Sequence, residues 1–89
     1  MNVNYLPSFI RDLKTLKKSP IYSTLHSLVF QELPNYSSIE QIPNLKRLRG
    51  DDQAYRIRVG DYRIGVFVDG DTMTLARVKH RRDIYRYFP

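Results

Sequence analysis

Three arginines, Arg56, Arg58 and Arg63, stand at alternating positions on either side of a Gly60-Asp61 dipeptide. The segment from Tyr55 to Val68 alternates in the pattern of a β-hairpin closed by a two-residue loop. That register sets Val59 against Tyr62, Arg58 against Arg63, Ile57 against Ile64, Arg56 against Gly65 and Tyr55 against Val66. Successive strand side chains point to opposite faces, so one face is apolar and the other carries all three guanidinium groups. Arg58 opposite Arg63 is a like-charge pair, which destabilises a ladder by roughly 0.2–1 kcal/mol. An anion between them removes that cost, and the planar fork of guanidinium donors matches phosphate. The chemistry this hairpin suits is the holding of a phosphate backbone.

The flanking segments must position that hairpin. Val3 and Tyr5 alternate with Asn2 and Asn4 in a short opening strand, residues 1–6. Pro7-Ser8 opens a helix whose apolar residues Phe9, Ile10, Leu13 and Leu16 recur at helical spacing. Ser19-Pro20 reads as a second helix start, serine as N-cap and proline at the first position, followed by Ile21, Leu25, Leu28 and Val29 on one stripe up to Pro34. Helices joined this closely predict an αα-hairpin. Residues 34–44 read as a linker with one helical turn near Ser38. Leu45 to Gly50 reads as a strand, and Asp69-Gly70-Asp71 as the turn into a last strand, residues 72–81. In that strand Met73 and Leu75 fall on one parity and Val78 on the other, which a bulge near residue 76 reconciles. The expected fold is a single α+β domain, residues 1–89. It has an N-terminal strand, an αα-hairpin and an antiparallel β-meander, with helices on one face of a twisted sheet and the arginines on the other.

Composition narrows the chemistry. The chain has 89 residues and no cysteine, which excludes disulfides, thiolate zinc sites and cysteine nucleophiles. Its two histidines, His26 and His80, lie too far apart for a metal-ligand pair, and no cofactor motif is visible. No stretch approaches the ~20 apolar residues of a membrane span, and the N-terminus lacks a signal-peptide pattern, so a cytoplasmic protein is expected. Residues 1–44 carry four basic against three acidic side chains, whereas residues 45–89 carry eleven against six, so the net charge of +6 is concentrated in the second half. Basic strands interleaved with aromatics suit single-stranded nucleic acid, and they equally suit an acidic protein partner. Asp51, Asp52, Asp61, Asp69 and Asp71 all fall in predicted turns, where aspartate is favoured for local hydrogen bonding.

Three spaced motifs carry a family resemblance: Leu48-Arg49-Gly50, the hairpin Tyr55 to Ile64, and Val78-Lys79-His80-Arg81-Arg82-Asp83-Ile84-Tyr85-Arg86. In motif, length and element order the chain resembles the RelE/ParE toxin superfamily. The resemblance implies a toxin of a type II toxin–antitoxin system, held in a hetero-oligomeric complex by an acidic, amphipathic RelB-like antitoxin. RelE-type members cut messenger RNA in the ribosomal A site without a metal, whereas ParE-type members inhibit DNA gyrase and lack the basic cluster. In the RelE type, the two outward side chains before the hairpin turn are basic, which here are Arg56 and Arg58. The arginine after the turn matches Arg63, and that of the last motif matches Arg81. The expectation is therefore a messenger RNA endonuclease acting with the ribosome, with gyrase inhibition or a catalytically degenerate, antitoxin-binding member as alternatives.

One departure bears on mechanism. The family's ribonucleases place lysines where this chain has Arg56 and Arg58, and arginine stays protonated above pH ~12, so it can stabilise an anion but not take a proton. A proton-transfer group must come from elsewhere, and His80 and Tyr85 are the candidates. The surrounding Lys46, Arg47, Arg49, Lys79, Arg82 and Tyr87 are expected RNA contacts.

Overall fold

The computed structural model describes all 89 residues. The elements are β1 (Asn2–Tyr5), α1 (Pro7–Thr15), α2 (Tyr22–Ser27), β2 (Leu45–Arg47), β3 (Ala54–Val59), β4 (Tyr62–Asp69), β5 (Thr72–His80) and α3 (Ile84–Tyr87). They build one five-stranded sheet in the order β1-β5-β4-β3-β2. Strands β2 to β5 form the expected antiparallel meander, and β1 lies parallel to β5, so the sheet is mixed.

Both central turns use the same dipeptide. Gly60 and Gly70 occupy the first loop position with φ of 57° and 61°, a conformation that glycine adopts without a Cβ penalty. Each is followed by aspartate. The β3–β4 register is the expected one, from Val59 opposite Tyr62 to Tyr55 opposite Val66. In β5 the bulge falls at Ala76: Gly65 pairs with Arg77 and Val66 with Leu75, leaving Ala76 as the extra residue. Met73, Leu75 and Val78 thereby all reach the core, while Ala76 turns to the opposite face.

The main core lies between the sheet and the two N-terminal helices. Phe9, Leu13, Leu25, Val29 and Leu33 close over Ile57, Ile64, Val66, Met73, Leu75 and Val78. A large apolar side chain fully buried this way contributes about 1.5–3 kcal/mol. The exposed Arg47–Asp52 ion pair contributes at most about 1 kcal/mol, so burial and not surface charge holds the fold. Helix α1 also runs along the edge of β5 that β1 leaves uncovered. Leu6 N–H donates to Leu75 O (2.9 Å), Ser8 Oγ donates to Ala76 O (2.7 Å), and Val78 N–H donates to Asp12 Oδ2 (3.2 Å).

Three local expectations are corrected. The N-cap of α2 is Ile21, while Ser19-Pro20 forms the preceding turn, with Ser19 O accepting from Tyr22 N–H at 3.1 Å. The helical path continues past Ser27 as a wide π-turn, Leu28–Glu32, then a 3₁₀ turn, Leu33–Asn35. Pro34 is tolerated there because an early position in a new turn needs no N–H donor. The strand expected over residues 45–50 stops at Arg47. The C-terminal residues are packed and lie on the other side of the sheet from α1 and α2. Ile84 and Phe88 join Ala54 and Ala76 in a second small core, flanked by Leu48 and Phe67.

Gly65 is the floor of that second core. A Cβ at this position would overlap the Phe88 ring. Gly65→Ala is therefore expected to cost about 1–3 kcal/mol, the range for overpacking. Thermal unfolding followed by circular dichroism checks this, and the same substitution in a Phe88→Ala background should cost markedly less.

Candidate nucleic-acid interface

Alternation and the bulge together arrange the outer face in rows. Arg58, Arg63 and Lys79 lie directly opposite one another across β3, β4 and β5. One step along the strands, Lys46, Arg56, Gly65 and Arg77 form a second row across β2 to β5. Phe88 sits over Gly65, so an apolar plug bounds the cationic field.

These cations divide into two groups. Arg77 and Lys79 are compensated by Asp12, which is 5 % exposed. Its carboxylate accepts from Arg77 Nε at 2.7 Å and Nη2 at 3.0 Å, with Lys79 Nζ at 3.3 Å. Burial alone would push the Asp12 carboxyl up, but the hydrogen bonds from Arg77, Val78 N–H and Lys79 outweigh it, and the net effect holds it below the usual carboxylate value. The same bond raises Arg77 further. Tyr87 completes this group, its ring lying 4.7 Å from Arg77 Cζ and 4.6 Å from Lys79 Nζ.

Lys46, Arg56, Arg58 and Arg63 have no carboxylate within 4.0 Å. Partial burial lowers the Arg63 pKa, and the charges of Arg56, Arg58 and Arg81 lower it further, against an opposing contribution from Tyr85. Arg63 thus lies within electrostatic reach of three other guanidinium groups and of the Tyr85 hydroxyl; Tyr85 is 60 % exposed on α3. Arg81 is set by the hairpin turn: its N–H donates to Asp61 O at 2.7 Å, and its Nε lies 3.6 Å from Asp61 Oδ1. The Arg58–Arg63 repulsion is eased by splaying. Arg63 Nη1 turns back to Gly60 O (2.8 Å) and Tyr62 O (3.0 Å), and Arg58 Nη2 reaches Asn44 Oδ1 (3.2 Å). Uncompensated guanidinium groups gathered on one open face can hold phosphate oxygens and stabilise added negative charge on them.

Of the residues singled out from sequence, Arg56, Arg58, Arg63, Arg81, Tyr85, Lys46, Lys79 and Tyr87 come together around this face. His80 does not. It pairs opposite Tyr62 on the helix side of the sheet, packs edge-on to that ring at 5.6 Å, and accepts the Arg82 N–H on Nδ1. Strand alternation is the reason: with Lys79 outward, His80 must face inward. Arg47 likewise lies opposite Tyr55, on the helix side, and pairs with Asp52. Arg49 and Arg82 are exposed beyond the strands. Sequence reasoning missed Asp12, Arg77 and Asn44. The first two were signalled, Asp12 by its place on the stripe of Phe9, Leu13 and Leu16, and Arg77 by the bulge that turns it outward. No group of three potential ligands could hold a metal ion, and no helix is long and apolar enough to cross a membrane.

The model of the family described as the ParE toxin of the type II toxin–antitoxin system parDE matches residues 3–85. Toxin RelE3 of Methanocaldococcus jannaschii is 40% identical over 90 aligned positions, covering 100% of both chains. The chain belongs to the RelE/ParE toxin superfamily. The toxin fold is shared with solved members. A chain of the RelB–RelE antitoxin–toxin complex from Methanococcus jannaschii superposes with a TM-score of 0.78 at 38% identity, covering 97% of this chain and 99% of that one. A chain of the RelBE2 toxin–antitoxin complex from Mycobacterium tuberculosis gives 0.68 at 27% identity, covering 90% and 96%.

The Asp12 network gives this toxin a defined acid response. A carboxyl whose folded pKa is depressed stabilises the fold above the unfolded value, about 3.9, and that stabilisation is lost as pH falls through the lower folded value. Urea unfolding from pH 7 to below pH 4 should show this loss in the wild type and a flatter acid limb in Asp12→Ala. At pH 7 the substitution should cost about 3 kcal/mol, the low end for removing one partner of a buried pair, because Arg77 and Lys79 remain partly solvated.

Proposed function

We propose that this chain is an endoribonuclease toxin that cuts messenger RNA as it is translated on the ribosome, acting in the cytoplasm. The observation that carries the reading is that Arg56, Arg58, Arg63 and Arg81 share one open sheet face with Tyr85 at its rim. RNA can be cut without a metal when its 2′-oxygen attacks the adjacent phosphorus and the bond to the 5′-oxygen breaks, leaving a cyclic phosphate and a 5′-hydroxyl. The 2′-hydroxyl proton goes to a base, and a proton is delivered to the leaving oxygen. Charge builds on the non-bridging oxygens, where Arg63 and Arg81 supply the counter-charge, and Arg56 and Arg58 hold the adjoining backbone.

The arginines cannot accept the proton, and His80 lies on the other face. Tyr85 is the remaining candidate, since a phenol hydroxyl both donates and accepts. Its exposed ring can alternatively stack on a base. The partner that restrains such a toxin is an antitoxin, acidic where it crosses the arginine face and amphipathic elsewhere, in a hetero-oligomeric complex. The RelB–RelE and RelBE2 complexes support that pairing by analogy.

A second reading is gyrase inhibition, favoured by the ParE description of the matching family model. Primer extension on a translated message separates the two. New 5′ ends inside the reading frame are expected on induction, reduced about 10²-fold or more in Arg63→Ala or Arg81→Ala, the effect of removing one transition-state donor. Both substitutions should leave stability within about 0.5 kcal/mol, as for surface positions. Growth arrest without cuts, together with inhibition of purified gyrase in a supercoiling assay, would replace the nuclease reading.

A further inference from the structure

The arginines of the outer face do not all aim at one point. Arg63 folds toward its own turn, while Arg58 leans from β3 toward β2, to the residue that precedes that strand. That residue, Asn44, is the one non-glycine position with a left-handed backbone, φ 64°. Asparagine is among the residues that tolerate it. Asn44 holds Arg58 twice: its Oδ1 accepts from Nη2 at 3.2 Å, and its backbone oxygen accepts from Arg58 N–H at 3.2 Å. Next to this clamp is an open hollow of about 160 Å³, lined by Asn44, Leu45, Lys46, Arg56 and Arg58. Lys46 lies directly across from Arg56. The lining holds three cations, a carboxamide and no carboxylate, and Leu45 is its only apolar member. Its chemistry selects a compact anion with several oxygens.

We infer that this hollow is a second phosphate subsite, which takes the backbone phosphate neighbouring the one held by Arg63 and Arg81. The inference rests on the reading of the outer face as an RNA site. Strands β2 and β4 are two strand spacings apart, about 10 Å. The hollow is lined from β2 and β3, so it lies between one and two strand spacings from Arg63 on β4. That is too far for one phosphate group to be shared and within the reach of consecutive phosphates of a single strand. The ligand therefore crosses the strands from β5 toward β2. Asn44 is the positioning residue, keeping Arg58 over the hollow and away from Arg63.

The test uses 2′-deoxy oligonucleotides, which cannot be cut by 2′-attack, titrated against the full chain at several salt concentrations. A dinucleotide without terminal phosphates offers one phosphate and a tetranucleotide offers three. Lys46→Gln and Asn44→Gly, the latter keeping the left-handed backbone, should weaken the tetranucleotide about tenfold, the worth of one charge-assisted hydrogen bond. Lys46→Gln should also lower the slope of log affinity against log salt by about 0.7, one phosphate contact on a single strand. Neither variant should change the dinucleotide, whereas Arg63→Gln should weaken both. Equal losses on the two oligonucleotides, no loss on either, or a tetranucleotide bound no more tightly than the dinucleotide would each overturn the subsite. Cleavage of translated message by the wild type is read separately. Cuts without a two-subsite signature leave the nuclease reading standing, and the signature without cuts removes that reading while the binding site remains.

Discussion

Beyond Leu75, β5 has no strand beside it on the β1 side, and its backbone donors there must be satisfied some other way. One carboxylate does this. Asp12 on α1 accepts the Val78 N–H, takes a bidentate pair from Arg77 and draws in Lys79. A buried carboxylate without such partners would carry a desolvation cost of several kcal/mol. With them it seals an edge that would otherwise invite pairing with another chain. It also decides where free positive charge lies. Because Asp12 compensates Arg77 and Lys79, the uncompensated cations on the outer face of the strands are confined to β2, β3 and the start of β4. Tyr87 rests over the compensated pair, so the seating of the C-terminal turn depends on the same carboxylate.

The remaining cations pose the opposite problem. Lys46, Arg56, Arg58 and Arg63 crowd one face with no counter-charge from the chain itself. Backbone and amide acceptors hold the guanidinium groups apart at the ends of their reach: Gly60 O and Tyr62 O for Arg63, Asn44 Oδ1 for Arg58. In the proposed phosphate site, Arg58 and Arg63 are thereby placed before any anion arrives, which lowers the side-chain ordering that opposes binding. The second small core does the complementary work. Phe88 on Gly65, with Ile84 and Ala76, fixes the α3 turn that presents Tyr85 and Tyr87 at the rim of this field.

Much of this was legible in the residues in order. The alternation about Gly60-Asp61 determined the hairpin, its register and the face on which Arg56, Arg58 and Arg63 stand, because a two-residue loop and a period of two leave one pairing. The parity break between Leu75 and Val78 located the bulge, since apolar side chains on both sides of it had to reach the same core. The spacing of Phe9, Leu13 and Leu16 determined α1, and the family motifs determined the superfamily. Tertiary structure alone decided which cations are free. Asp12 meets Arg77 and Lys79 from more than sixty positions away, a meeting that exists only because α1 crosses the uncovered edge of β5. It also decided that β1 runs parallel to β5, that His80 faces the helices, that the tail packs on the arginine side, and that Asn44 clamps Arg58. Local pattern reports which face of its own strand or helix a side chain takes. Compensation, burial and convergence depend on which other elements arrive at that face, and only the packed chain determines that.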